Sequence, residues 1–293
     1  MTAPHPSSPA CGGGVAAGDG GGANAQASDA LALHRPLSHA SHDSFPANGG
    51  AKRSRLGFFG VGLAGAAFVI AVIAAAGGWW TPWAARYIQG VDVSWHQGAI
   101  DWRALAADDV AFAYIKASEG ADYVDPRFAF NWRAAGAAGL HRGAYHYFTL
   151  CRTGAEQAAH FIATVPRATG MLPPAVDLEH KGPCRQGPTM PDSVVVSEMR
   201  AFLDRVEAHY GVRPILYTTR EFHDAHLRDL RGERFWIRSI AAPPSFRQRD
   251  WVIWQHYNRG HKRGVAGPVD LNAFRGDAGA LAAFAGGRRA GAS

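Results

Sequence analysis

The chain has few cysteines and few charged residues, and both shortages narrow the class of protein it can be. Three Cys in 293 residues are too few for a disulfide-framed scaffold. Charged residues make up 18% of the chain, and the net charge is only +6. That charge is too diffuse for a nucleic-acid-binding stripe, although it suits a polyanionic surface. Because 47% of the residues are hydrophobic and nine are Trp, a wholly disordered chain is also excluded.

The sequence also lacks the short motifs of several common enzyme classes. Its 14 His show no H-E-x-x-H or similar ligand spacing, so we expect neither a metal site nor a cofactor. A nucleophile elbow with Ser, His and Asp partners is missing as well, which disfavours acyl transfer. The glycine runs at 12–14 and 20–22 follow no strand pattern and open no helix pattern, so they are not phosphate-binding loops.

Composition divides the chain into three segments. Residues 1–55 are rich in Ala, Gly, Ser, His and Pro without a hydrophobic period, which predicts a disordered tail. Residues 56–78 contain no charged residue. As a helix they would extend about 35 Å, enough to span a hydrocarbon core of about 30 Å. Residues 87–286 have the composition of one folded domain.

The flanks of the uncharged run indicate its orientation. Basic residues lie at 52–55 before it, and tryptophans lie at 79–83 after it. By the positive-inside rule, the N-terminus stays in the cytoplasm and the folded domain is exported. We therefore predict a single-pass anchor in the inner (cytoplasmic) membrane, with a periplasmic or extracellular domain. A cleaved signal peptide, with its cleavage site near 74–76, is the alternative.

Short β-rich runs alternate with helical patterns in the third segment. The clearest helix is 192–210, where apolar residues recur at helical spacing from Val195 to Val206 and Gly211 is placed to end it. Eight strands separated mostly by helices predict an irregular TIM-like α/β barrel. The connections between the last three strands are too short for full helices. The strand candidates are 88–94, 110–117, 143–148, 174–179, 214–218, 235–240, 251–257 and 269–271.

Four acidic residues lie at predicted strand ends: Asp92, Asp177, Glu179 and Asp270. Active sites of such barrels form at the C-terminal ends of the strands, so we expect these side chains to meet at one rim. Asp177 and Glu179 leave the same face of a strand, with Cα atoms about 6.6 Å apart. Repulsion between them would keep one carboxyl protonated beside an anion. Glycoside hydrolysis requires such a pair.

Seven motifs in this order resemble those of the glycoside hydrolase family 25 lysozymes, the Chalaropsis-type muramidases. They span residues 90–274 and are GVDVSWHQG, AFAYIKASEG, GAYHYF, AVDLE, ILYTT, FWIRSI and WQHY with GPVDLNAF. The resemblance implies an irregular β/α barrel that cleaves the β-1,4 bond between N-acetylmuramic acid and N-acetylglucosamine in peptidoglycan. Family members often have His-Trp where this chain has Trp95-His96, which leaves open which ring lines the first loop.

By the same resemblance, each acid acquires a role. Glu179 would be the general acid, and Asp177 would stabilise the transition state or orient the acetamido group of the substrate. Asp92 and Asp270 would complete an acidic floor. Retention through the acetamido group, retention through a covalent intermediate, and inversion could all use these carboxyls.

Tyrosines and tryptophans on the predicted strands are candidates for sugar binding, because aromatic rings stack on pyranose faces. Core packing is the alternative for each aromatic residue. Lys116 ends an apolar strand, and we expect it to pair with an acid of the floor. Gln97 and Gln255 are further polar candidates for the cleft lining. The candidate substrate-binding residues are Tyr145, Tyr217, Trp236, Trp254 and Lys116.

Two of the cysteines follow neighbouring predicted strands. Cys151 comes after the third strand and Cys184 after the fourth, so their loops would approach each other. An exported domain permits a disulfide, and we predict that these two are bridged. Cys11 would lie unpaired in the cytoplasm.

Three functions fit these patterns. The leading hypothesis is a membrane-anchored muramidase that acts on peptidoglycan glycan strands. The second is a catalytically silent scaffold that binds the cell wall. The third is a hydrolase of another N-acetylated glycan such as chitin, because pocket shape rather than the acids sets the sugar preference.

Overall fold

The computed structural model describes residues 83–180, 189–240, 242–247 and 250–286. The predicted disordered tail, the uncharged run at 56–78, Cys11 and Cys184 therefore lie outside the described residues. Within the described ranges, no helix has both the length and the apolar character needed to cross a bilayer.

Eight strands close into a barrel, and all eight match strands predicted from the sequence. A ninth, two-residue strand (β3) was not predicted and pairs with the end of β2. In chain order the strands are β1 (Ile88–Val93), β2 (Phe112–Glu119), β3 (Tyr123–Val124), β4 (His141–Tyr147), β5 (Ala175–Leu178), β6 (Ile215–Thr218), β7 (Phe235–Arg238), β8 (Trp251–Gly260) and β9 (Val269–Phe274).

The order around the barrel is β1-β2-β4-β5-β6-β7-β8-β9, and β9 returns to β1. Every neighbouring pair from β1 through β8 is parallel, whereas β9 runs antiparallel to both β8 and β1. The sequence predicted an irregular barrel at the last three strands from their short connections, but it did not predict that one strand is reversed. The fold is thus a mixed α/β, TIM-like barrel.

Helices cover the outside of the parallel part and are absent from the described residues between β7, β8 and β9. The predicted helix at 192–210 is present with those bounds. Its apolar positions are fully buried, and Gly211 ends it with a φ of 77°, a conformation that favours glycine. The helices are α1 (Trp102–Ala106), α2 (Phe128–Ala137), α3 (Gly154–Thr164), α4 (Asp192–Tyr210), α5 (Arg220–Phe222) and α6 (Ala278–Ala285). A π-helical turn (His223–Leu227) follows α5, and a 3-10 turn (Trp95–Gln97) follows β1.

Side chains alternate between the two faces of each strand, so the barrel has one core outside its wall and one inside. Side chains that point outward pack under the helices: His146 of β4 stacks on Phe202 of α4, with ring centroids 5.0 Å apart. Side chains that point inward fill the barrel, including Phe112, Trp236 and Phe274. Phe284 of α6 packs on Phe274, at the end where β9 finishes. Because α6 closes that end, the opposite rim is the one available for a cleft.

The reversed strand changes the reason why Asp270 reaches this rim. Asp270 was expected at the C-terminal end of its strand, but it lies near the start of β9. Since β9 is antiparallel to β1, its start lies beside the end of β1, and Asp270 stands in register with Asp92. The prediction that the acids meet at one rim is therefore confirmed. Three of them reach the rim because their strands end there, and Asp270 reaches it because its reversed strand begins there.

Candidate active site

A cavity of about 370 Å³ opens at the rim where the parallel strands end. All four predicted acids line it, which satisfies the spatial premise on which the sequence hypothesis depended. The other polar and aromatic lining residues that matter below are Lys116, Tyr145, Tyr147, Tyr217, Trp236, Arg238 and Gln255.

Asp177 and Glu179 come from the end of β5. Asp177 is buried and stands in register with Tyr147 of β4 and Tyr217 of β6, whereas Glu179 follows the last strand residue and is half-buried. Burial raises the pKa of the Tyr217 hydroxyl, and the charges of Asp177 and Glu179 raise it further. The same two charges act on buried Tyr147. Both carboxyls therefore face the same pair of phenols across the cavity.

Asp92 lies on the cavity floor in a dense hydrogen-bond network. Its Oδ2 accepts from Gln255 Nε2 and from Asn272 Nδ2, each at 2.8 Å. Asn272 Oδ1 accepts from the Trp236 indole at 2.8 Å, and Gln255 Oε1 accepts from the Tyr217 hydroxyl at 3.0 Å. Burial raises the pKa of Asp92 to about 6, although both amide donors lower it.

The pKa of Asp270 is raised further than that of Asp92. Burial and the charge of Asp92 raise the pKa of Asp270 to about 8, while nearby Arg238 lowers it. Glu179 raises the pKa of both aspartates through its charge. The cavity thus holds two carboxyls whose pKa values are raised above the ordinary range of Asp, a feature typical of acid/base sites.

Lys116 lines the cavity, but its predicted partner was wrong. Its Nζ lies 2.6 Å from Glu119 Oε2, three residues further along β2, rather than beside one of the four floor acids. It also lies over the ring of Tyr147, 5.2 Å from the centroid. A strand carries residues i and i+3 on opposite faces, so the pairing requires the irregular register of β2, which shifts between Lys116 and Ser118.

Three of the four predicted aromatic residues line the cavity, namely Tyr145, Tyr217 and Trp236. Trp254 does not. It is fully buried in the larger core cluster outside the barrel interior, and its indole donates to the Ser239 carbonyl at 2.7 Å. Its assignment to substrate binding is therefore corrected to core packing, the alternative interpretation of the same residue.

The first loop presents His96 to the cavity, with Gln97 beside it. Trp95 is exposed and stacks on the His96 ring, with centroids 4.2 Å apart. A capping box at Ser94 and Gln97 fixes the turn, and the Trp95 backbone N–H donates to Asp125. In this chain, therefore, the ring from the first loop that lines the cavity is that of His96.

The residues that the sequence analysis missed include Asn272, which supports the floor, and Arg238, which lines the cavity. Each lies two positions from a residue that was identified, since Asn272 follows Asp270 on β9 and Arg238 follows Trp236 on β7. Side chains two apart on a strand share a face. That period-2 rule was the available signal for both residues.

Within the described ranges, no group of three or more His, Cys, Asp or Glu is arranged to hold a metal ion. Cys151 is disulfide-bonded. Its predicted partner, Cys184, lies outside the described residues, so the pairing itself stays a prediction.

A TIM-like barrel with a carboxylate pair and two further aspartates in one rim cavity has the features of a glycoside hydrolase. The family model described as "Glycosyl hydrolases family 25" matches residues 91–265. The chain belongs to this family, and it is a glycoside hydrolase.

Individual relatives agree with this assignment. Lysozyme M1 of Streptomyces globisporus is 34% identical over 214 residues, which cover 68% of this chain and 71% of that protein. A family 25 glycosyl hydrolase structure from Bacillus anthracis superposes with a TM-score of 0.63 at 38% identity, covering 67% of this chain and 93% of its own. A bacterial lysozyme structure from Streptomyces coelicolor gives 0.62 at 31% identity, covering 68% and 97%.

Proposed function

We propose that this protein is a peptidoglycan hydrolase, a Chalaropsis-type N-acetylmuramidase that cleaves the β-1,4 bond between N-acetylmuramic acid and N-acetylglucosamine. The observation that carries the proposal is the meeting of Asp92, Asp177, Glu179 and Asp270 in one solvent-open cavity of the barrel. The relatives named lysozyme support the same substrate class.

The two acids from β5 divide the work according to their accessibility. Glu179 is the more exposed of the two and can reach a leaving-group oxygen, so it acts as the general acid. Asp177 lies deeper, and its negative charge faces the oxocarbenium-like centre of the sugar or orients the acetamido group. Burial keeps the neighbouring hydroxyls of Tyr145 and Tyr217 in their neutral form. The Tyr145 hydroxyl can donate to a sugar oxygen, whereas the Tyr217 hydroxyl donates to Gln255 and can accept from a sugar hydroxyl.

The proposed location follows from the sequence before residue 83. We propose that 56–78 anchors the protein in the inner membrane with residues 1–55 in the cytoplasm, so that the barrel faces the wall. A disulfide between Cys151 and Cys184 suits such an exported domain.

The test is the Glu179→Gln variant of the full chain, assayed on purified peptidoglycan. Loss of the general acid should lower the rate by about 10²–10⁴-fold. Mass spectrometry of the digest, with reducing-end analysis, should find N-acetylmuramic acid at the new ends in the wild-type reaction. Glu207→Gln is the matched control, because Glu207 lies on α4 and pairs with Arg213 outside the cavity.

The other functions predict different results. A silent wall-binding scaffold would bind peptidoglycan and release no product even as wild type. A hydrolase of another glycan would cleave chitin oligosaccharides at least as fast as peptidoglycan. Equal rates for Glu179→Gln and wild type would remove the proposed acid.

A further inference from the structure

The two aspartates of the floor, Asp92 and Asp270, form a linked pair. They stand directly opposite each other on antiparallel β1 and β9, and both line the cavity. Like charges this close oppose ionisation of both carboxyls. The charge of Asp92 is accordingly one of the causes that raise the pKa of Asp270.

The surroundings of the pair are unequal. Asp92 Oδ2 receives two amide N–H donors, from Gln255 and Asn272, each at 2.8 Å. Among the described residues, no amide side chain donates to Asp270. Donors of this kind stabilise a carboxylate and disfavour its protonated form. The hydrogen bonds therefore favour the anion on Asp92 and leave the proton to Asp270.

The two amides are themselves held in the donating orientation. The Asn272 oxygen accepts from the Trp236 indole, and the Gln255 oxygen accepts from the Tyr217 hydroxyl. An indole N–H can only donate, so the Asn272 oxygen must face Trp236 and its NH₂ must face Asp92. The direction of hydrogen bonding from Trp236 through Asn272 to the Asp92 carboxylate is therefore fixed.

The other charged groups around the pair come from three further strands. Glu179, just after β5, adds negative charge toward both aspartates. Asp177 on β5 and both floor aspartates raise the pKa of Tyr145 through their charges. Arg238 of β7 adds positive charge that favours ionisation of both aspartates. Lys116 of β2 is engaged by Glu119. Negative charge dominates, so retention of one proton lowers repulsion across the cavity.

We propose that Asp92 and Asp270 hold one proton between them, carried by Asp270, and that Asn272 and Gln255 are the positioning residues that keep Asp92 as the anion. This inference rests on the proposed function and deepens it. The floor then offers a bound glycan one hydrogen-bond donor and one acceptor, rather than two negative charges. The pKa values of about 6 for Asp92 and about 8 for Asp270 agree with this order of titration.

The first test compares Asp270→Asn with Asp92→Asn in the full chain. An asparagine side chain resembles a protonated carboxyl in shape and can donate a hydrogen bond. Asp270→Asn should therefore lower kcat/KM on peptidoglycan by no more than about tenfold, whereas Asp92→Asn should lower it by about 100-fold or more. Equal losses, or a larger loss for Asp270→Asn, would overturn the proposed location of the proton.

The second test is the pH profile of Asn272→Leu. Loss of one amide donor should raise the pKa of Asp92, so activity should begin to fall at a higher pH as the solution is acidified. The expected shift of this acid limb is about one to two pH units. An unshifted profile would contradict a positioning role for Asn272.

Asn131→Leu is a matched control for this experiment. Asn131 is also fully buried and also accepts from an indole, that of Trp102, but its Nδ2 donates to no carboxylate among the described residues. Both variants lose one Trp–Asn bond, and only Asn272→Leu should shift the profile. If Asn272→Leu does not fold, Gln255→Met removes the other donor and the same shift is expected.

A measurement without turnover separates this inference from the proposed function. Carboxyl ¹³C NMR of the full chain should show one floor aspartate that keeps its proton above pH 6, and that signal should be absent in Asp270→Asn. If wild type cleaves no peptidoglycan, the proposed function fails while the NMR result still decides the proton pair. Two aspartates that both titrate near pH 4 would overturn the inference.

Discussion

Two buried polar networks lie on opposite sides of the barrel wall. Comparing them shows how a network that stabilises the fold differs from one that belongs to an active site. The outer network joins His146 Nδ1 to Ser118 Oγ at 2.8 Å and His146 Nε2 to Gln157 Oε1 at 3.2 Å, under helices α3 and α4. The inner network joins Asp92 to two amides at the cavity floor. Members of both are almost completely buried.

The difference lies in charge and access. Burial lowers the pKa of His146 to about 3, so its ring is neutral, and each ring nitrogen has a neutral partner. Both ring nitrogens of His146 are thus engaged, and His146 lines neither the active-site cavity nor the cavity beside Trp132. The inner network instead keeps a carboxylate beside a second carboxyl, at the wall of an open cavity. A buried polar cluster thus points to catalysis when like charges are held together within reach of a ligand.

The largest effect on stability is expected from His146→Leu, which should break only the outer network. Ser118 loses its partner for a buried hydroxyl, so the free energy of unfolding should fall by about 2–3 kcal/mol. Activity per folded molecule should not change, because His146 points away from the cavity. Urea unfolding and kcat/KM on peptidoglycan measure the two quantities. A loss of kcat/KM with intact folding would contradict the separation of the two networks.

The two networks should also make the free energy of unfolding depend on pH in opposite directions. For the raised acids, the stabilising contribution is complete below the ordinary value of 3.8 and is lost as the pH rises through about 6 for Asp92 and about 8 for Asp270. For His146, the contribution is complete above 6.5 and is lost as the pH falls toward about 3. Alkaline pH therefore weakens the cavity side, and acid pH weakens the helix side.

Urea unfolding between pH 4 and pH 9 tests these slopes. From pH 4 to 8, Asp270→Asn should gain on the order of 1–2 kcal/mol relative to wild type, less than the full pKa difference would give because the cavity is open to solvent. Wild type should lose its advantage over His146→Leu as the pH falls below 6.5. Parallel curves for wild type and Asp270→Asn would show that Asp270 is not perturbed by folding.

Much of the molecule could be predicted because its patterns are local. Helix α4 was predicted to the residue, since its apolar spacing and its terminal glycine both lie within one stretch of sequence. The four acids were found because strand ends determine which side chains meet at a rim. Three of them required only the direction of a parallel strand.

The errors concern choices that local sequence does not determine. The reversal of β9 depends on how the last hairpin closes the barrel. The ion pair between Lys116 and Glu119 depends on an irregularity in the register of β2. Tryptophans on neighbouring strands have the same local pattern whether they point inward or outward. Trp236 stands in register with Ile253 and belongs to the core inside the barrel, whereas Trp254 stands in register with Ile237 and belongs to the outer core.

That pair of tryptophans supplies the smallest and most selective test. Each indole makes one buried hydrogen bond, Trp236 to Asn272 and Trp254 to the Ser239 carbonyl. Replacement of either by Phe should cost about 1 kcal/mol in the free energy of unfolding. Only Trp236→Phe should also lower kcat/KM, because Asn272 then loses the donor that fixes its orientation toward Asp92. Equal activity of both variants would mean that the floor keeps its geometry without the indole, and that packing alone orients the inner network.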